Sequence, residues 1–435
     1  MLQLYENYAC SCGKTHSAGV DSVIIENGAV LKLVDYANKY GVKKAFIVCD
    51  KNTYKVAGER VESLLKGGNI NYSKYVFNEN SLEPDEKAVG SLIMHYDNSC
   101  NLIIGVGSGV INDLSKILAN VTKNPYIIVA TAPSMDGYAS KTSSMSMDGL
   151  KVSLPSKCAN VIIGDIDILK TAPNKMLVSG LGDMLAKYIS ICEWRISNLI
   201  TNEYYCEEVA SIIRNALKKC VDNISGLLDR DDNAIKSVFE GLVLGGVAMN
   251  YAGLSRPASG VEHYFSHIWD MRGLEFNSKV DFHGIQCAIG SYYASKIYEQ
   301  VKSITPDREK ALNYVKNFDY NSYKSELLAF IGTGAKAMIE SESVEGKYDI
   351  KKHAKRLEVI IDNWNKIIQI INEEVPPSSE IEKILKSINA PLLASDIGLD
   401  EALVPITFKM TKDIRDKYVL SRLCWDLGVI DEIKF

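Results

Sequence analysis

Histidine is scarce in this chain, with six among 435 residues. An excess of positive charge is absent, because 49 Lys and Arg residues face 54 Asp and Glu residues and the net charge is −5. This balance argues against nucleic acid as a bulk electrostatic partner. Long hydrophobic runs are absent too, since no stretch approaches the ~20 apolar residues of a membrane span. The opening MLQLYENYACSCGKTH interrupts every apolar run with polar residues, so we expect no signal peptide.

Cysteine is present but not dense. Ten cysteines in a chain this long do not make the disulfide framework of a small secreted protein. Cys10 and Cys12 form C-x-C, the only close pair, which is a weak zinc signal without a second such pair. We therefore expect reduced thiols in a cytoplasmic protein.

The chain divides into two halves with different patterns. A length of 435 residues predicts two domains. Short apolar runs at 43–50, 71–77, 101–109 and 125–132 alternate with amphipathic segments, which predicts βαβ units and a parallel sheet. From Lys175 onward the apolar residues recur at helical spacing. We expect an α/β Rossmann-like domain over 1–168 and an all-helical domain over 169–435, with the ligand in the cleft between them.

Two loops of the first half suit a nucleotide. The turn GVGSGV joins a predicted strand to a predicted helix, where backbone N–H groups favour a phosphate. It matches G-x-G-x-x-G only in part, because Val110 is at the sixth position. A turn that binds no nucleotide is therefore the alternative. The second loop, 131–145, is rich in Ser, Thr and Gly and could equally be a solvated surface loop.

Three of the six histidines fall in one short stretch. His263 and His267 are four residues apart and would share a helix face, and His283 follows soon after. The protease motif H-E-x-x-H is absent. Two imidazoles from two helices make half of a divalent metal site, and a carboxylate is the usual third ligand. Asp183 could supply it, or could cap the helix that follows.

The motifs TAPSMDGYAS, SGLGD, RPASGVEHYFSH and FHG occur in this order along the chain. With them the chain resembles the glycerol-1-phosphate dehydrogenases of the iron-containing alcohol dehydrogenase and dehydroquinate synthase superfamily, and is most similar to their bacterial, AraM-like branch. The resemblance covers most of the chain, from FIVCD to IRDKYVLSRLCWDLG. It implies NAD or NADP and one divalent metal ion, with zinc ahead of nickel or iron, in a homodimer.

The resemblance also implies roles for individual residues. Asp183, His263 and His283 match the metal ligands. Asp136 and His267 match the catalytic residues that face the substrate, with His267, or a water held by Asp136, passing the proton.

The cofactor residues are implied in the same way. Residues 107–113, GSGVIND, look like the family's GGG-x-x-x-D pyrophosphate turn, with Ser108 in place of the middle glycine. The full set of implied cofactor residues is Asp50, Gly107, Ser108, Gly109, Val110, Ile111, Asp113, Thr131, Ala132, Pro133, Ser134 and Ser140.

The implied reaction is the reversible reduction of dihydroxyacetone phosphate to sn-glycerol 1-phosphate. One Asp and two His leave coordination positions open for substrate oxygens, where a metal acts as a Lewis acid. Arg256 and Lys141 could bind the substrate phosphate, although Arg256 could equally form a structural ion pair. Two alternatives stay open: a glycerol dehydrogenase or another polyol or alcohol dehydrogenase of the superfamily, and a non-catalytic metabolite-binding protein.

Overall fold

The strands lie in the first part of the chain. The computed structural model describes residues 2, 4–79, 81–147 and 150–435. No strand follows Asp165 among these residues. The strands are β1 Tyr8–Ala9, β2 Thr15–His16, β3 Ser22–Glu26, β4 Lys44–Asp50, β5 Asn71–Phe77, β6 Leu102–Gly107, β7 Tyr126–Ala130, β8 Thr142–Met147, β9 Leu150–Pro155 and β10 Val161–Asp165.

Six of these strands form one parallel sheet in the order β3-β10-β7-β6-β4-β5. Every residue of β6, β7 and β10 is buried. Central parallel strands are covered on both faces, and for this reason their sequences LIIGVG, YIIVA and VIIGD are almost continuously apolar. The strands β8 and β9 form a separate antiparallel hairpin, as do β1 and β2.

The helices account for most of the rest. They are α1 Leu33–Lys39, α2 Lys51–Thr53 (continued by the π-helical Tyr54–Gly58), α3 Glu59–Gly67, α4 Glu86–Met94, α5 Gly109–Thr122, α6 Ile166–Leu169, α7 Asn174–Thr201, α8 Glu207–Asp222, α9 Asp232–Ala252, α10 Val261–Glu275, α11 His283–Lys302, α12 Arg308–Lys316, α13 Tyr320–Ile331, α14 Ala335–Glu345, α15 Ile350–Asp362, α16 Trp364–Glu374, α17 Ser378–Ser387, α18 Val404–Thr411 and α19 Leu420–Asp426. Within the described ranges, no helix is both long and apolar enough to cross a membrane.

The chain separates into two compact units. The first comprises Met1–Met184 and Glu208–Leu254 and contains the sheet. Its core lies between the sheet and helices α1 and α3 and includes Val30, Leu33 and Val61. The second comprises Leu185–Glu207 and Ser255–Phe435 and is built from helices. One of its cores joins α10, α13, α14 and α18 through residues such as Ile268, Leu327 and Met410.

The predicted fold class, a Rossmann-like parallel sheet followed by a helical part, is confirmed. The predicted division near residue 168 stays a prediction. In detail, the strand predicted over 101–109 ends at Gly107, and the loop predicted over 131–145 gives way to β8 at Thr142.

Candidate functional site

In the first unit, the carboxyl ends of β4, β6 and β7 lie side by side. The chain passes from β4 to β5 on one side and then to β6 on the other side of β4, so the strand order reverses there. In the aligned strands Val48 pairs with Gly105, and Gly107 pairs with Ala130. Ligands of open α/β sheets bind outside the carboxyl ends of the strands at such a reversal. Asp50, the glycine turn and the loop after Ala130 all leave the sheet at this edge.

The glycine turn connects β6 directly to α5. Gly107 ends the strand, and a Cβ there would lie 2.5 Å from the Cβ of Ile111, so only glycine allows this close approach. Ser108 is the N-cap residue and its side chain makes no cap hydrogen bond. The helix therefore opens with backbone N–H groups and a positive dipole end, the arrangement that binds phosphate.

Lys116 ties the glycine-turn helix to the loop that follows β7. Its ammonium, fully buried, pairs with Asp113 Oδ1 at 2.8 Å and donates to the carbonyls of Thr142 at 2.5 Å and Gly137 at 3.2 Å. It also donates to Ser140 Oγ at 3.3 Å. The two segments predicted to bind the cofactor are thus fastened to each other by one lysine that the sequence did not single out.

The loop from Thr131 to Ser140 is mostly buried and rests on α7. Ser179 Oγ donates to the Ser134 carbonyl at 2.9 Å. The backbone N–H of Asp136 donates to Asp183 Oδ2, also at 2.9 Å. Asp183 is fully buried in the middle of α7, so it does not cap that helix. Oxygens of the Asp136 and Asp183 carboxylates lie within 4.8 Å of each other.

Asp50 ends β4 and caps the helix that follows. Its Oδ1 accepts from the N–H groups of Asn52 at 2.7 Å and Thr53 at 2.9 Å. The cap explains the local conformation of the chain at this residue.

In the second unit, His263 and His283 converge from helices α10 and α11. Their ring centroids are 5.0 Å apart. His263 Nδ1 lies 2.7 Å from Glu262 Oε1, and His283 Nδ1 lies 2.9 Å from Ser266 Oγ. With both Nδ1 atoms engaged, each ring would bind a metal through Nε2, the arrangement in which an outer partner orients a histidine ligand.

Cys287 completes this cluster and is not among the residues predicted from the sequence. Its Sγ lies 3.6 Å from His283 Nε2, and ligand atoms of the two histidines and this cysteine lie within 4.8 Å of one another. Burial alone would raise the pKa of the Cys287 thiol, but the two imidazoles lower it overall. The signal was present, since His283 and Cys287 are four residues apart and share a face of α11.

A pair of buried carboxyl groups lies behind His263. Glu262 Oε1 also accepts from Gly260 N at 2.7 Å, and Glu193 accepts from the N–H groups of Val261 at 3.0 Å and Leu420 at 2.8 Å. Burial, followed by the charge of Glu262, raises the pKa of Glu193 to about 8. The Glu193 carboxyl is therefore harder to ionise than an exposed glutamate, and Glu262 is the group of this pair that contacts His263.

His267 belongs to the same group of rings. Its centroid is 6.1 Å from that of His283. Burial, together with the charge of Arg415 and the two other histidines, lowers the pKa of His267 well below its usual value. Lys417 is also near, and burial followed by the charges of Arg256 and Arg415 lowers its pKa to about 7.

Arg256 forms an ion pair and hydrogen bonds within the second unit. The buried guanidinium donates to both oxygens of Glu203 at 2.6–2.9 Å, to the Tyr418 carbonyl at 2.8 Å and to Ser197 Oγ at 3.0 Å. Every nitrogen has a protein partner, so the ion-pair interpretation is favoured over a phosphate contact. Lys141, the other phosphate candidate, is exposed on the first unit.

The donor atoms fit a divalent transition metal. Within the second unit, two imidazoles with oriented Nε2 atoms and a thiol lie together. Imidazole, carboxylate and thiolate are the usual ligands of zinc, and imidazole with carboxylate also suits nickel and iron.

The chain is similar to known dehydrogenases along nearly its whole length. A family profile described as iron-containing alcohol dehydrogenase matches residues 24–173. A glycerol-1-phosphate dehydrogenase [NAD(P)+] of Halalkalibacterium halodurans is 28% identical over 94% of this chain and 94% of its own. One of Methanosarcina acetivorans is 31% identical over 62% of this chain and 74% of its own. In fold, the chain is similar to an alcohol dehydrogenase of Oenococcus oeni, at TM-score 0.61 and 15% identity, with 95% and 98% of the two chains covered. Together with the sheet and the histidine cluster, these similarities show that the chain belongs to the glycerol-1-phosphate dehydrogenase family within the iron-containing alcohol dehydrogenases.

Proposed function

We propose that this protein is an NAD(P)-dependent and metal-dependent glycerol-1-phosphate dehydrogenase, which interconverts dihydroxyacetone phosphate and sn-glycerol 1-phosphate. The observation that carries the proposal is the pair of imidazoles, His263 and His283, each held through Nδ1 by a neighbouring side chain. The named relatives supply the substrate, since they bear the same activity in their names. We propose that the protein is cytoplasmic and forms a homodimer. Light scattering on the purified protein would test the dimer.

Asp183, His263 and His283 are the proposed ligands of one divalent ion. When bound, the metal supplies a Lewis acid for the substrate oxygen, and the nicotinamide supplies or accepts the hydride. Glu262 and Ser266 keep the two rings in the orientation that presents Nε2. The Cys287 thiol beside both rings favours zinc over the alternatives, because thiolate is a soft ligand.

The glycine turn and the loop after β7 are the proposed cofactor site. The N–H groups at the start of α5 bind the pyrophosphate, and Lys116 holds the loop 131–140 against that helix. Asp50, at the end of β4, favours NAD over NADP, because a carboxylate suits the 2′-hydroxyl of the ribose and repels a 2′-phosphate.

His267 is the proposed proton relay, with a water held by Asp136 as its alternative. The developing alkoxide must take up a proton during reduction, and His267 lies beside the proposed ligand His283. A His267→Ala enzyme with unchanged turnover and substrate affinity would exclude this role.

Arg415 and Lys417 are the proposed partners of the substrate phosphate, in place of Arg256. Both charges lie close enough to His267 to lower its pKa, and Lys417 Nζ is 5.9 Å from the ring centroid of Tyr264. Cationic side chains are the usual phosphate partners, and such a pair would distinguish a phosphorylated substrate from glycerol.

The test of the function is an NADH-oxidation assay on two matched substrates. Dihydroxyacetone phosphate should be turned over far better than dihydroxyacetone, and a chelator should abolish turnover until metal is restored. Equal or better turnover of dihydroxyacetone would assign a glycerol dehydrogenase instead. No turnover of either substrate by metal-loaded protein that binds NADH would point to a non-catalytic binding protein.

The phosphate pair has its own test. Arg415→Ala should raise KM for dihydroxyacetone phosphate by at least about tenfold, the value of one charge-assisted contact, and should leave dihydroxyacetone nearly unaffected. Lys87→Ala, at an exposed position of α4 with no assigned role, is the matched control and should change neither value. Equal losses on both substrates would show that Arg415 does not recognise the phosphate.

A further inference from the structure

The N-terminal hairpin presents two thiols and an imidazole to one another. Cys10 and Cys12 lie in the turn CSCGK between β1 and β2, and His16 is the last residue of β2. Ligand atoms of these three residues lie within 4.8 Å of one another. None of the three belongs to the proposed dehydrogenase site. We propose that Cys10, Cys12 and His16 hold a structural zinc ion.

The spacing of the donor atoms fits zinc. Zinc bonds of about 2.3 Å to sulfur and about 2.0 Å to nitrogen, at a tetrahedral angle, separate the two ligand atoms by about 3.5 Å. Cys12 Sγ lies 3.5 Å from His16 Nε2. A tetrahedral ion at this place has a fourth position, which takes water or a further thiol.

The imidazole of His16 is oriented for metal binding. Its Nδ1 lies 2.9 Å from the carbonyl oxygen of Tyr251, which can only accept, so Nδ1 carries the proton. The lone pair is then on Nε2, the atom that faces Cys12. A histidine ligand whose other nitrogen donates to a carbonyl is the usual arrangement in zinc sites.

The backbone of the turn is shaped around the Cys10 sulfur. Cys12 N donates to Cys10 Sγ at 3.5 Å, which fixes the position of that sulfur within the turn. Gly13 N donates to the Cys10 carbonyl at 3.0 Å, and Cys10 N donates to Lys14 O at 3.0 Å. Gly13 has φ +86°, which a residue with a side chain adopts with strain. The turn therefore holds both thiols on the same side as His16.

A cross-link of this kind would stabilise the hairpin. Its two strands contain two residues each, and an isolated pair of strands is at best marginally stable in water. It is attached to the rest of the first unit by polar contacts, among them Lys14 Nζ to the Ala252 carbonyl at 3.0 Å and Ser11 Oγ to Glu208 at 3.4 Å, and by the ring contact between His16 and Tyr251. A zinc ion would fix the turn so that these contacts can form.

The test is zinc content per chain, measured by mass spectrometry on purified full-length protein. Cys12→Ser and His16→Gln should each lose one equivalent relative to the unmodified chain and keep turnover of dihydroxyacetone phosphate. Cys220→Ser is the matched control, because Cys220 donates to the Ser237 carbonyl at 3.2 Å, a contact that serine can also make. Unchanged zinc content in Cys12→Ser and His16→Gln would overturn the proposal.

If Cys12→Ser and His16→Gln do not fold, a variant with an intact hairpin still tests the site. Asp183→Asn should lose its dehydrogenase activity but retain one equivalent of zinc. When it is loaded with cobalt(II), it should show a thiolate-to-cobalt charge-transfer band that persists after Cys287, the thiol beside His263 and His283, is also changed to serine. Loss of all metal from Asp183→Asn, or a disulfide between Cys10 and Cys12 in place of the band, would refute the hairpin site without bearing on the dehydrogenase reaction.

Discussion

Glu262 contacts Nδ1 of His263 and so determines that Nε2 is the ring nitrogen available to a metal. It is fully buried, and its Oε1 is shared between His263 Nδ1 and the Gly260 N–H. Its Oε2 has no hydrogen-bond partner in the described part of the chain. A buried carboxyl group with an unsatisfied oxygen is costly, and its contact with His263 offsets part of that cost if the ring is polarised by a bound metal.

We therefore predict that Glu262→Gln weakens metal binding by about 10- to 100-fold, the usual effect of losing an outer partner of a histidine ligand. Metal affinity would be measured by competition with a chromophoric chelator. Glu342→Gln is the matched control, because Glu342 is also a buried carboxylate that accepts from two backbone N–H groups but lies on α14. Equal weakening in both variants would mean that the effect is a general loss of stability.

At the residue scale, the sequence predicted the histidines of the candidate site but not the residues that contact the predicted site residues. His263, His267 and His283 do form one group of rings. Cys287 was missed, although its spacing from His283 is visible in HGIQC. Lys116 could not be found by pattern, because its role depends on contacts with the carbonyls of a loop more than 20 residues away.

Helix α7 passes unusually close to the loop that follows β7. A Cβ at Gly180 would lie 1.8 Å from the Pro133 carbonyl oxygen, so helix and loop meet where no side chain fits. Ser179 and Asp183, on either side of Gly180, bond the same loop. The glycine therefore sets the distance between Asp183 and the proposed cofactor loop.

We predict that Gly180→Ala lowers the free energy of unfolding by about 3 kcal/mol, because the backbone of the loop must move. Gly90→Ala is the matched control, since Gly90 lies within α4 and a Cβ there meets nothing within 4 Å. That substitution should stabilise the protein by about 0.5–1 kcal/mol through helix propensity. Denaturant unfolding of the two variants gives both values, and a Gly180→Ala protein as stable as the unmodified chain would contradict the close approach.

Lys116 gives a second prediction at the scale of elements. Lys116→Met removes a buried charge that joins α5 to the 137–142 segment and leaves Asp113 without this partner. We expect a loss of about 3 kcal/mol in unfolding free energy, the usual cost of removing one member of a buried pair, and weaker NADH binding. Fluorescence titration with NADH measures the second effect. Lys87→Met, at an exposed position of α4, should change neither quantity.

The elements predicted best were those with a strong local pattern. The strand predicted over 71–77 is observed over the same residues, and that predicted over 43–50 begins one residue later. The strand β3 was not predicted, because SVIIE is short and its pairing with β10 comes from a distant part of the chain. The first residues of the hairpin β8–β9 fall in a predicted loop, because their serines and threonines do not alternate with apolar residues.

At the scale of the whole molecule, a change of pattern along the sequence was enough to predict the fold class. Apolar runs of strand length end at β10, and helical spacing continues from α7 to the C-terminus. Composition could not predict the internal charges that the second unit buries. Arg256, Lys412 and Arg422 are all nearly inaccessible; Arg256 pairs with Glu203, and Lys412 and Arg422 both pair with Asp413.

Asp413 is the centre of one such group and makes stability depend on pH. Its oxygens accept from the hydroxyls of Tyr323 and Tyr348, both at 2.6 Å, and from Arg422 at 3.0 Å. Burial alone would raise the pKa of Asp413, but the charges of Lys412 and Arg422 hold it at about 2. A folded-state pKa below the unfolded value of about 3.9 contributes stability that is fully present above pH 4 and is lost as the pH falls toward 2.

We predict that Asp413→Asn is less stable than the unmodified protein at pH 7 by at least about 2 kcal/mol, from the lost ionised form and from two cations left without it. The difference should shrink as the pH falls from about 4 to 2, because the native carboxylate is then protonated as well. Urea unfolding at a series of pH values measures this difference. Asp319→Asn, which alters an exposed helix cap on α13, is the control and should show only a small, pH-independent loss. A constant difference between Asp413→Asn and the unmodified protein down to pH 2 would show that Asp413 acts through packing and not through its charge.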